Sequence, residues 1–433
     1  MITISRRRFL ALTGGVLATG CTAAREADIV VPSPTTAGTS PTTTSTVPGV
    51  VTSVSSTEPA PFGNNVLVLV ELRGGNDAVN TLPPLTGAYR DLRPTIALPE
   101  TDLVMSEHFG PHGLHPSLAP LLDLADAGRL ATLAGIGFED PDRSHFVSLD
   151  RWARADRMDD GLGWLGRWID TLPDELPSLG ATALGGSGDV LLGAKAPGTV
   201  IDGVDAFAFP TLLSNGSMRA LGDSPADSSH GSNDPMLAAA RRAFVDSVGA
   251  TEEFDAIADA VRSRVPEREP GDLGPALGAF TTGLAVAAEM ILGDIGTRVV
   301  SISVNGFDTH SDQLAQHADL LSDLAQGLTQ FWATLDEVGA ADCVLVATTS
   351  EFGRRVAENA SNGCDHGAAG VSFVMGNSIV PGLSGALDTA DLLDGDLRPQ
   401  IDPRVLMTAC LDWLGADVEQ IIGQRHDDVP IIA

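Results

Sequence analysis

Acidic and imidazole side chains recur directly after three strand-like runs of this 433-residue chain. Asp77 follows the first run, Asp308 and His310 follow the second, and Glu351 follows the third. The runs are nearly continuous in apolar residues, as in Val-Leu-Val-Leu-Val at 66–70, which is typical of strands buried on both faces of a parallel sheet. Because ligands in such sheets gather beyond the carboxyl ends of the strands, we expect these side chains to meet at one edge.

A fourth cluster, Asp365 and His366, lies in a glycine-flanked segment soon after the third run. The flanking glycines permit unusual backbone angles and a close approach to a ligand. Oxygen and imidazole donors at one sheet edge predict a divalent metal site, with Zn, Mn, Ca or Mg as the candidate ions. A polar turn at Asp365, and helix capping by Asp308 or Thr309, are the structural alternatives.

Ser144 and His145 open a predicted helix. A hydroxyl at a helix N-terminus, next to a metal, can be deprotonated and attack an anionic ester, which makes Ser144 a candidate nucleophile. His145 would then be a metal ligand or a general acid, whereas the structural alternative for Ser144 is an N-cap. Arg354 or Arg143 could hold phosphate or sulfate oxygens through a bidentate guanidinium, and each could instead pair with a surface acid.

The first residues of the chain resemble an export signal. Arg6 and Arg7 lie in a segment similar to the twin-arginine motif, and the apolar stretch 10–18 that follows is too short to span a bilayer. Small residues precede Cys21, as in a lipoprotein cleavage site, with an ordinary secreted protein and an incidental cysteine as the alternative. We therefore expect export by the twin-arginine machinery, followed by anchoring on the outer face of the membrane or by secretion.

Composition divides the chain into three parts. Residues 1–21 are predicted to be the signal peptide, and residues 22–61, rich in Thr, Ser and Pro, a disordered tether. From residue 62 to 433, strand and helix patterns alternate, which predicts one α/β domain with a mostly parallel sheet and helices on both faces. The apolar runs predict strands over 66–72, 298–304 and 343–349, and apolar residues at spacings of three and four, from Leu314 to Val338, predict one face of a helix over 312–338. A stretch rich in Gly, Pro and Ser, 173–235, is predicted to form small strands and loops that could cap the site.

The formal net charge is −31 and the pI about 4.4. Such a surface repels nucleic acid and anionic membranes. Nucleic acid is therefore not expected as a partner, and a membrane is expected only through a lipid anchor. Alternatively, the negative charge serves only to keep the protein soluble outside the cell. After cleavage before Cys21 an odd number of cysteines remains, Cys343, Cys364 and Cys410, so at most one disulfide can form among them.

Five ordered motifs lie between residue 64 and the C-terminus: Arg73-Gly-Gly-Asn-Asp77, Arg143-Ser-His-Phe146, Gly306-Phe-Asp-Thr-His310, Ser350-Glu-Phe-Gly-Arg354 and Gly363-Cys-Asp-His-Gly367. Together they resemble domain-of-unknown-function family 1501, which is grouped with the alkaline phosphatase and sulfatase superfamily. The resemblance implies an alkaline phosphatase-like α/β fold, a site with one or two metals, and a Ser or Thr nucleophile.

The resemblance also implies roles for particular residues. Ser144 resembles the nucleophile, and Glu351 an auxiliary ligand or orienting base. The remaining matched residues resemble metal ligands: Asp77 after the first strand, Asp308 with His310 at one metal, and Asp365 with His366 between two sites.

Two functions are compatible with these observations. The leading hypothesis is an exported, metal-dependent hydrolase of a small or polymeric phosphate or sulfate ester. The alternative is a surface-tethered lipoprotein that binds a cell-envelope partner on the same fold without catalysis. Departures from the superfamily pattern support the alternative, since Asp308-x-His310 replaces an Asp-x-x-x-His spacing and only His426 follows His366.

Overall fold

The computed structural model describes residues 65–195, 198–201, 254, 256–261 and 278–433. The chain divides into two units, residues 1–57 and 58–433, and every described residue lies in the second. The predicted export motif at Arg6 and Arg7, and the tether that begins after Cys21, lie outside the described residues. Within the described part of the chain, no helix has both the length and the apolar character needed to cross a membrane.

A mixed sheet of eight strands forms the centre of the second unit. In chain order its strands are β1 (Val66–Arg73), β2 (Leu130–Ile136), β3 (Ala181–Leu184), β4 (Thr199–Ile201), β5 (Val299–Asn305), β6 (Val344–Thr349), β7 (Gly370–Met375) and β8 (Gly382–Gly385). Their order across the sheet is β4-β3-β5-β1-β6-β7-β2-β8. All neighbours are parallel except that β7 runs antiparallel to both β6 and β2. A separate hairpin pairs β9 (Leu392–Leu393) with β10 (Asp396–Leu397).

Helices cover both faces of this sheet: α1 (Ala78–Thr81), α2 (Tyr89–Leu92), α3 (Leu122–Asp126), α4 (His145–Arg154), α5 (Trp164–Ile169), α6 (Ala279–Leu292), α7 (Gln313–Glu337), α8 (Pro403–Trp413) and α9 (Val418–Ile422). Alternate residues of β1 point to opposite faces. Val68 and Val70 join the core built with α6 and α7, whereas Leu67 and Leu69 join the core built with α4, α5, α8 and α9. The predicted fold class, α/β with a mostly parallel sheet and helices on both faces, is confirmed.

The direction of β7 decides where its preceding segment lies. Because two antiparallel pairings make β2 parallel to β6, the strands β1, β2, β5 and β6 all end at one edge of the sheet. The reversed strand β7 begins at that same edge. Asp365 and His366, which come shortly before β7, therefore lie beside the residues that follow the other strands.

The stretch 173–235, predicted as a cap, contributes β3 and β4 to the main sheet next to β5. These two small strands extend the sheet beside β5. Residues 202–235 lie outside the described part of the chain.

Helix α7 confirms the helix predicted over 312–338, with one difference at its ends. Leu314 is 38% exposed and Val338, just after the helix, is 51% exposed, although both belong to the predicted apolar face. The first two turns bury Gln313 and His317 instead. These turns face a polar network beneath the loop after β1, so polar side chains take the inward positions there.

The three cysteines of the folded part, Cys343, Cys364 and Cys410, are buried and free, so none of them forms a disulfide. Burial raises the pKa of Cys364 and of Cys410 to about 12. All three therefore behave as small apolar core residues.

Candidate metal centre

Three imidazole rings converge on one carboxylate at the edge where β1, β5 and β6 end. The distance from Nε2 to Asp308 Oδ1 is 3.0 Å for His310, 3.1 Å for His366 and 3.4 Å for His145. The Nε2 atoms of His310 and His366 are 2.9 Å apart. Ligand atoms of His145, Asp308 and His366 all lie within 4.8 Å of one another. We call these four residues the histidine–aspartate cluster.

Acceptor oxygens hold the other nitrogen of two of the rings. Nδ1 of His145 lies 2.7 Å from Glu351 Oε1, and Nδ1 of His366 lies 2.7 Å from the carbonyl oxygen of Arg143. Since a carbonyl or carboxylate oxygen only accepts, Nδ1 carries the proton in each bond. The lone pair of each neutral ring is then on Nε2 and faces Asp308. Glu351, predicted as a ligand or an orienting base, has the geometry of the orienting base.

Asp365 lies behind the third ring. Its Oδ1 is 3.3 Å from His310 Nδ1 and accepts a 3.2 Å hydrogen bond from the side-chain amide of Asn359. The bond from Asn359, aided by His310, lowers the pKa of Asp365. Asp365 was predicted as a ligand shared with His366, and the structure places it where it orients His310. No sequence signal identified Asn359.

One unpartnered ring nitrogen and two that face each other make the cluster chemically suited to a cation. His145 Nε2 is buried and has no hydrogen-bond partner among the described residues. The facing Nε2 lone pairs of His310 and His366 repel each other unless a proton or a metal ion lies between them. Three imidazoles and the carboxylate of Asp308 match the donors of a zinc site, whereas Ca and Mg prefer oxygen ligands.

Arg354 fixes Asp308 from inside the protein. Its guanidinium is fully buried and donates to Asp308 Oδ1 at 2.6 Å. The guanidinium also donates to backbone carbonyl oxygens, those of Gly74 and Phe307 from the same Nη2, that of Gly75 from Nε and that of Cys364 from Nη1. Burial would raise the pKa of Asp308, but the hydrogen bond and positive charge of Arg354 outweigh it and help to lower the pKa to about 2. Arg354, predicted to hold substrate oxygens, instead joins the loops that carry the cluster.

Asp77 lies outside the cluster. Its carboxylate is fully buried and accepts hydrogen bonds from both Nη atoms of Arg93 at 2.6 and 2.9 Å. It also accepts from the amide of Val79 at 3.2 Å and from the side chain of Gln313. Burial would raise the pKa of Asp77, but Arg93 more than compensates and lowers it. Asp77, predicted as the first metal ligand, therefore caps α1 and anchors the loop after β1.

Buried polar side chains continue from this ion pair beneath the loop after β1. His317 Nε2 is 2.9 Å from Asn76 Oδ1, and the hydroxyl of Tyr89 donates to Asn80 Oδ1 at 2.9 Å. Burial lowers the pKa of His317 to about 3, so its ring is neutral. Arg93 completes the network by donating to Asn80 Oδ1 at 2.8 Å. These hydrogen bonds tie the loop after β1 to α2 and α7.

Ser144 occupies the N-cap position of the ten-residue helix α4, directly before His145. Its hydroxyl makes no capping bond, and no base among the described residues accepts its proton. The carboxylate of Asp142 supports this turn instead, accepting from the amide of Ser144 at 2.7 Å. The capping alternative is therefore not used, and the half-buried hydroxyl remains available to a ligand.

The glycines around Asp365 and His366 bring backbone against backbone. A Cβ at Gly363 would lie 2.4 Å from the carbonyl carbon of His310, and one at Gly367 would lie 2.5 Å from that of Arg354. The sequence predicted a close approach to a ligand at these glycines. In the structure the close approach is between two loops of the protein.

Gly363→Ala is expected to displace the loop that carries His366. Overpacking of this kind costs about 1–3 kcal/mol of unfolding free energy, because the opposing atoms are backbone and cannot turn aside. Urea unfolding measures the loss, with Gly370→Ala as the control, since the nearest atom to its Cβ is 3.8 Å away. Equal stability of the two variants would show that the contact at Gly363 is not tight.

The fold and the cluster define an α/β protein with a candidate metal centre at the carboxyl edge of its sheet. A family model described as a protein of unknown function (DUF1501) matches residues 203–429, more than half of the chain. The chain belongs to this family, which confirms the resemblance drawn from the motifs. The matched range includes Asp308, Glu351 and His366, whereas Ser144 and His145 precede it.

Several solved structures are similar to the chain at low identity. Ps i-CgsB is 9% identical, with 83% of this chain and 74% of that chain covered and a TM-score of 0.41. The PsFucS1 sulfatase from Pseudoalteromonas sp. is 11% identical, with 82% and 68% covered and a TM-score of 0.37. A phosphonate monoester hydrolase from Silicibacter pomeroyi is 10% identical, with 84% and 78% covered and a TM-score of 0.34. No protein of the curated set matches the sequence.

Proposed function

We propose that the protein is a metal-dependent hydrolase of phosphate or sulfate esters. The observation that carries the proposal is the convergence of three imidazole Nε2 atoms on Asp308 Oδ1. Acceptors behind the rings direct the lone pairs inward, as in metal sites that bind an ion through histidine. The side chains of Asp308 and His310 are 50% and 44% exposed, so a substrate can reach the cluster from solvent.

The chain's own groups prepare the cluster for an anionic ester. Arg354 keeps Asp308 ionised, and Glu351 holds the ring of His145 in one orientation. A divalent ion bound there would supply positive charge that offsets the charge on the ester oxygens and acidifies a nearby hydroxyl. In the reaction, a water or serine oxygen loses its proton to solvent and attacks phosphorus or sulfur, the bond to the alcohol oxygen breaks, and that oxygen takes up a proton from solvent. On the serine route a water then attacks the same phosphorus or sulfur, the bond to the serine oxygen breaks, and the serine oxygen is protonated again.

Ser144 is the candidate nucleophile of this proposal. Its hydroxyl lies at the N-terminus of α4, where the helix dipole favours negative charge, and next to His145 of the cluster. With zinc-loaded protein and p-nitrophenyl phosphate or sulfate as substrate, Ser144→Ala is expected to lower kcat by roughly a thousandfold or more, as removal of a covalent nucleophile does. Unchanged zinc content and circular dichroism would show that the fold survives.

Full hydrolysis by the Ser144→Ala protein would eliminate the serine step and leave direct attack by water. Absence of turnover of every phosphate and sulfate ester by zinc-loaded wild-type protein would reject the hydrolase. The alternative, a tethered protein that binds an envelope partner, would then be the remaining function.

We further propose that the chain is exported by the twin-arginine pathway and anchored through Cys21. Arg6→Lys with Arg7→Lys is expected to hold the protein inside the cell, since the export machinery recognises the arginine pair. Arg8→Lys, at the neighbouring position, is the control and should leave export intact. Mass spectrometry of the mature protein should find a lipid-modified Cys21 at its N-terminus. Equal export of the double variant and the control would reject the twin-arginine pathway.

A further inference from the structure

Two arginines share one buried carboxylate next to the candidate metal centre. Arg143 donates to Asp396 Oδ2 through Nε at 3.0 Å and through Nη2, and Nε of Arg355 lies 3.4 Å from Asp396 Oδ1. The side chain of Asp396 is 2% exposed, whereas those of Arg143 and Arg355 are 46% and 37% exposed. Two guanidinium groups over one buried carboxylate leave one positive charge in excess on the solvent side.

Both arginines are joined directly to segments of the histidine–aspartate cluster. The carbonyl oxygen of Arg143 accepts the hydrogen bond from His366 Nδ1 at 2.7 Å. The amide of Arg355 donates to the carbonyl oxygen of Asp365 at 2.9 Å. The charge of Arg355 also contributes to the lowered pKa of Asp365, after the larger effects of Asn359 and His310. Arg143 therefore contacts His366 of the cluster through its carbonyl oxygen, and Arg355 contacts the residue before His366 through its amide.

Donor groups of the pair remain unused. Among the described residues, Nη1 of Arg143 and Nη1 of Arg355 have no hydrogen-bond partner, while Nη2 of Arg355 donates to the carbonyl oxygen of Asp394. The nearby carboxylate of Asp142 is engaged with the amide of Ser144. On a chain with a net charge of −31, an exposed excess of positive charge beside the cluster is a place where an anion can bind.

We propose that Arg143 and Arg355 form a second anion subsite, which binds an anionic group of the substrate adjacent to the ester held at the cluster. The inference rests on the proposed function and deepens it by assigning a substrate class. The substrate is an ester with at least two phosphate or sulfate groups, carried by a small molecule or a polymer. A single anionic ester fills only the cluster and gains nothing from the arginines.

Direct binding tests the subsite independently of turnover. The probes are alkanediol bisphosphates of increasing chain length and alkyl monophosphates of the same lengths, titrated by calorimetry into the zinc-loaded full chain at fixed ionic strength. The best bisphosphate is expected to bind about tenfold more tightly than its monophosphate, as one additional charge-assisted contact allows. Arg143→Gln and Arg355→Gln should each bring this ratio close to unity.

Two further variants separate an anion subsite from a structural ion pair. Asp396→Asn keeps an oxygen acceptor for the arginines but removes the competing charge, so it should increase the preference for the bisphosphate. If the ion pairs serve only stability, Asp396→Asn should not increase the preference for the bisphosphate. Arg425→Gln is the control for net charge, because Arg425 pairs on the surface with Asp412 and Asp427. It should leave the ratio at the wild-type value.

Equal binding of bisphosphates and monophosphates by the wild-type protein, at every chain length, would overturn the inference. A wild-type ratio in both arginine variants would also overturn it. A bisphosphate preference that both arginine variants abolish, in a protein that hydrolyses no ester, would support the subsite and reject the proposed function. Ester hydrolysis without a preference for the bisphosphate would support the proposed function and reject the subsite.

Discussion

His366→Ala and His145→Ala are each expected to lose the zinc that the purified wild-type protein holds in near-stoichiometric amount. Each change deletes one of the four donors of the cluster, an Nε2 lone pair that faces Asp308, and leaves its place in the site without a ligand. Replacing an outer-shell partner typically lowers metal affinity 10–100-fold, and loss of a direct ligand should exceed that. Metal content by mass spectrometry, followed by competition with a chelator, measures both effects.

The same experiment separates ligands from the groups that orient them. Asp365→Asn and Glu351→Gln should retain zinc with affinity lowered by about 10–100-fold, because each lies behind a ring and not in the cluster. His108→Ala is the matched histidine control, since this partly exposed ring pairs with Asp126 on the surface. Loss of zinc from the control, or full retention in His366→Ala, would show that the cluster does not hold the ion.

Arg93→Met is expected to lower the free energy of unfolding by about 3–5 kcal/mol. The change leaves the buried carboxylate of Asp77 without its partner, and an uncompensated buried charge is expensive. Removing both charges, with Asp77→Asn and Arg93→Met together, should cost less than Arg93→Met alone. Urea unfolding of the two single variants and the double variant measures the coupling between the charges.

These variants also decide between two roles for Asp77. If Asp77 anchors the loop after β1, Asp77→Asn should reduce stability and leave zinc content unchanged. If Asp77 is a metal ligand, the same change should release zinc. Zinc loss in Asp77→Asn at wild-type stability would restore the ligand role predicted from the motif, and would contradict the placement of Asp77 beside Arg93.

The regular elements were predictable because their signals are local. Apolar runs gave β1, β5 and β6 to within about a residue of their observed ends, and three- and four-residue spacings gave α7. The hairpin of β9 and β10 gave no signal, since its strands have two residues each. The buried polar turns of α7 were missed because periodicity assumes that an inward position is apolar, and Gln313 and His317 break that rule.

The candidate site was only partly predictable. Position after a strand placed Asp308, His310 and Glu351 at one edge of the sheet, but position does not reveal which oxygen or nitrogen is already occupied. Asp77 and Arg354 satisfied the motif and are taken up by contacts inside the protein. Arg93 lies in no motif, because its significance comes only from the carboxylate that it meets.

The sequence by itself determined the strands, the helices and the chemical types available at the carboxyl edge of the sheet. These follow from hydrophobic periodicity and from residue identity, which are properties of neighbouring positions. The tertiary structure decided which groups meet: the reversal of β7 brings His366 to Asp308, and long-range hydrogen bonds turn Glu351 and Asp365 toward the histidine rings. Contacts between residues far apart in the chain depend on the direction and register of every strand between them, which no local pattern contains.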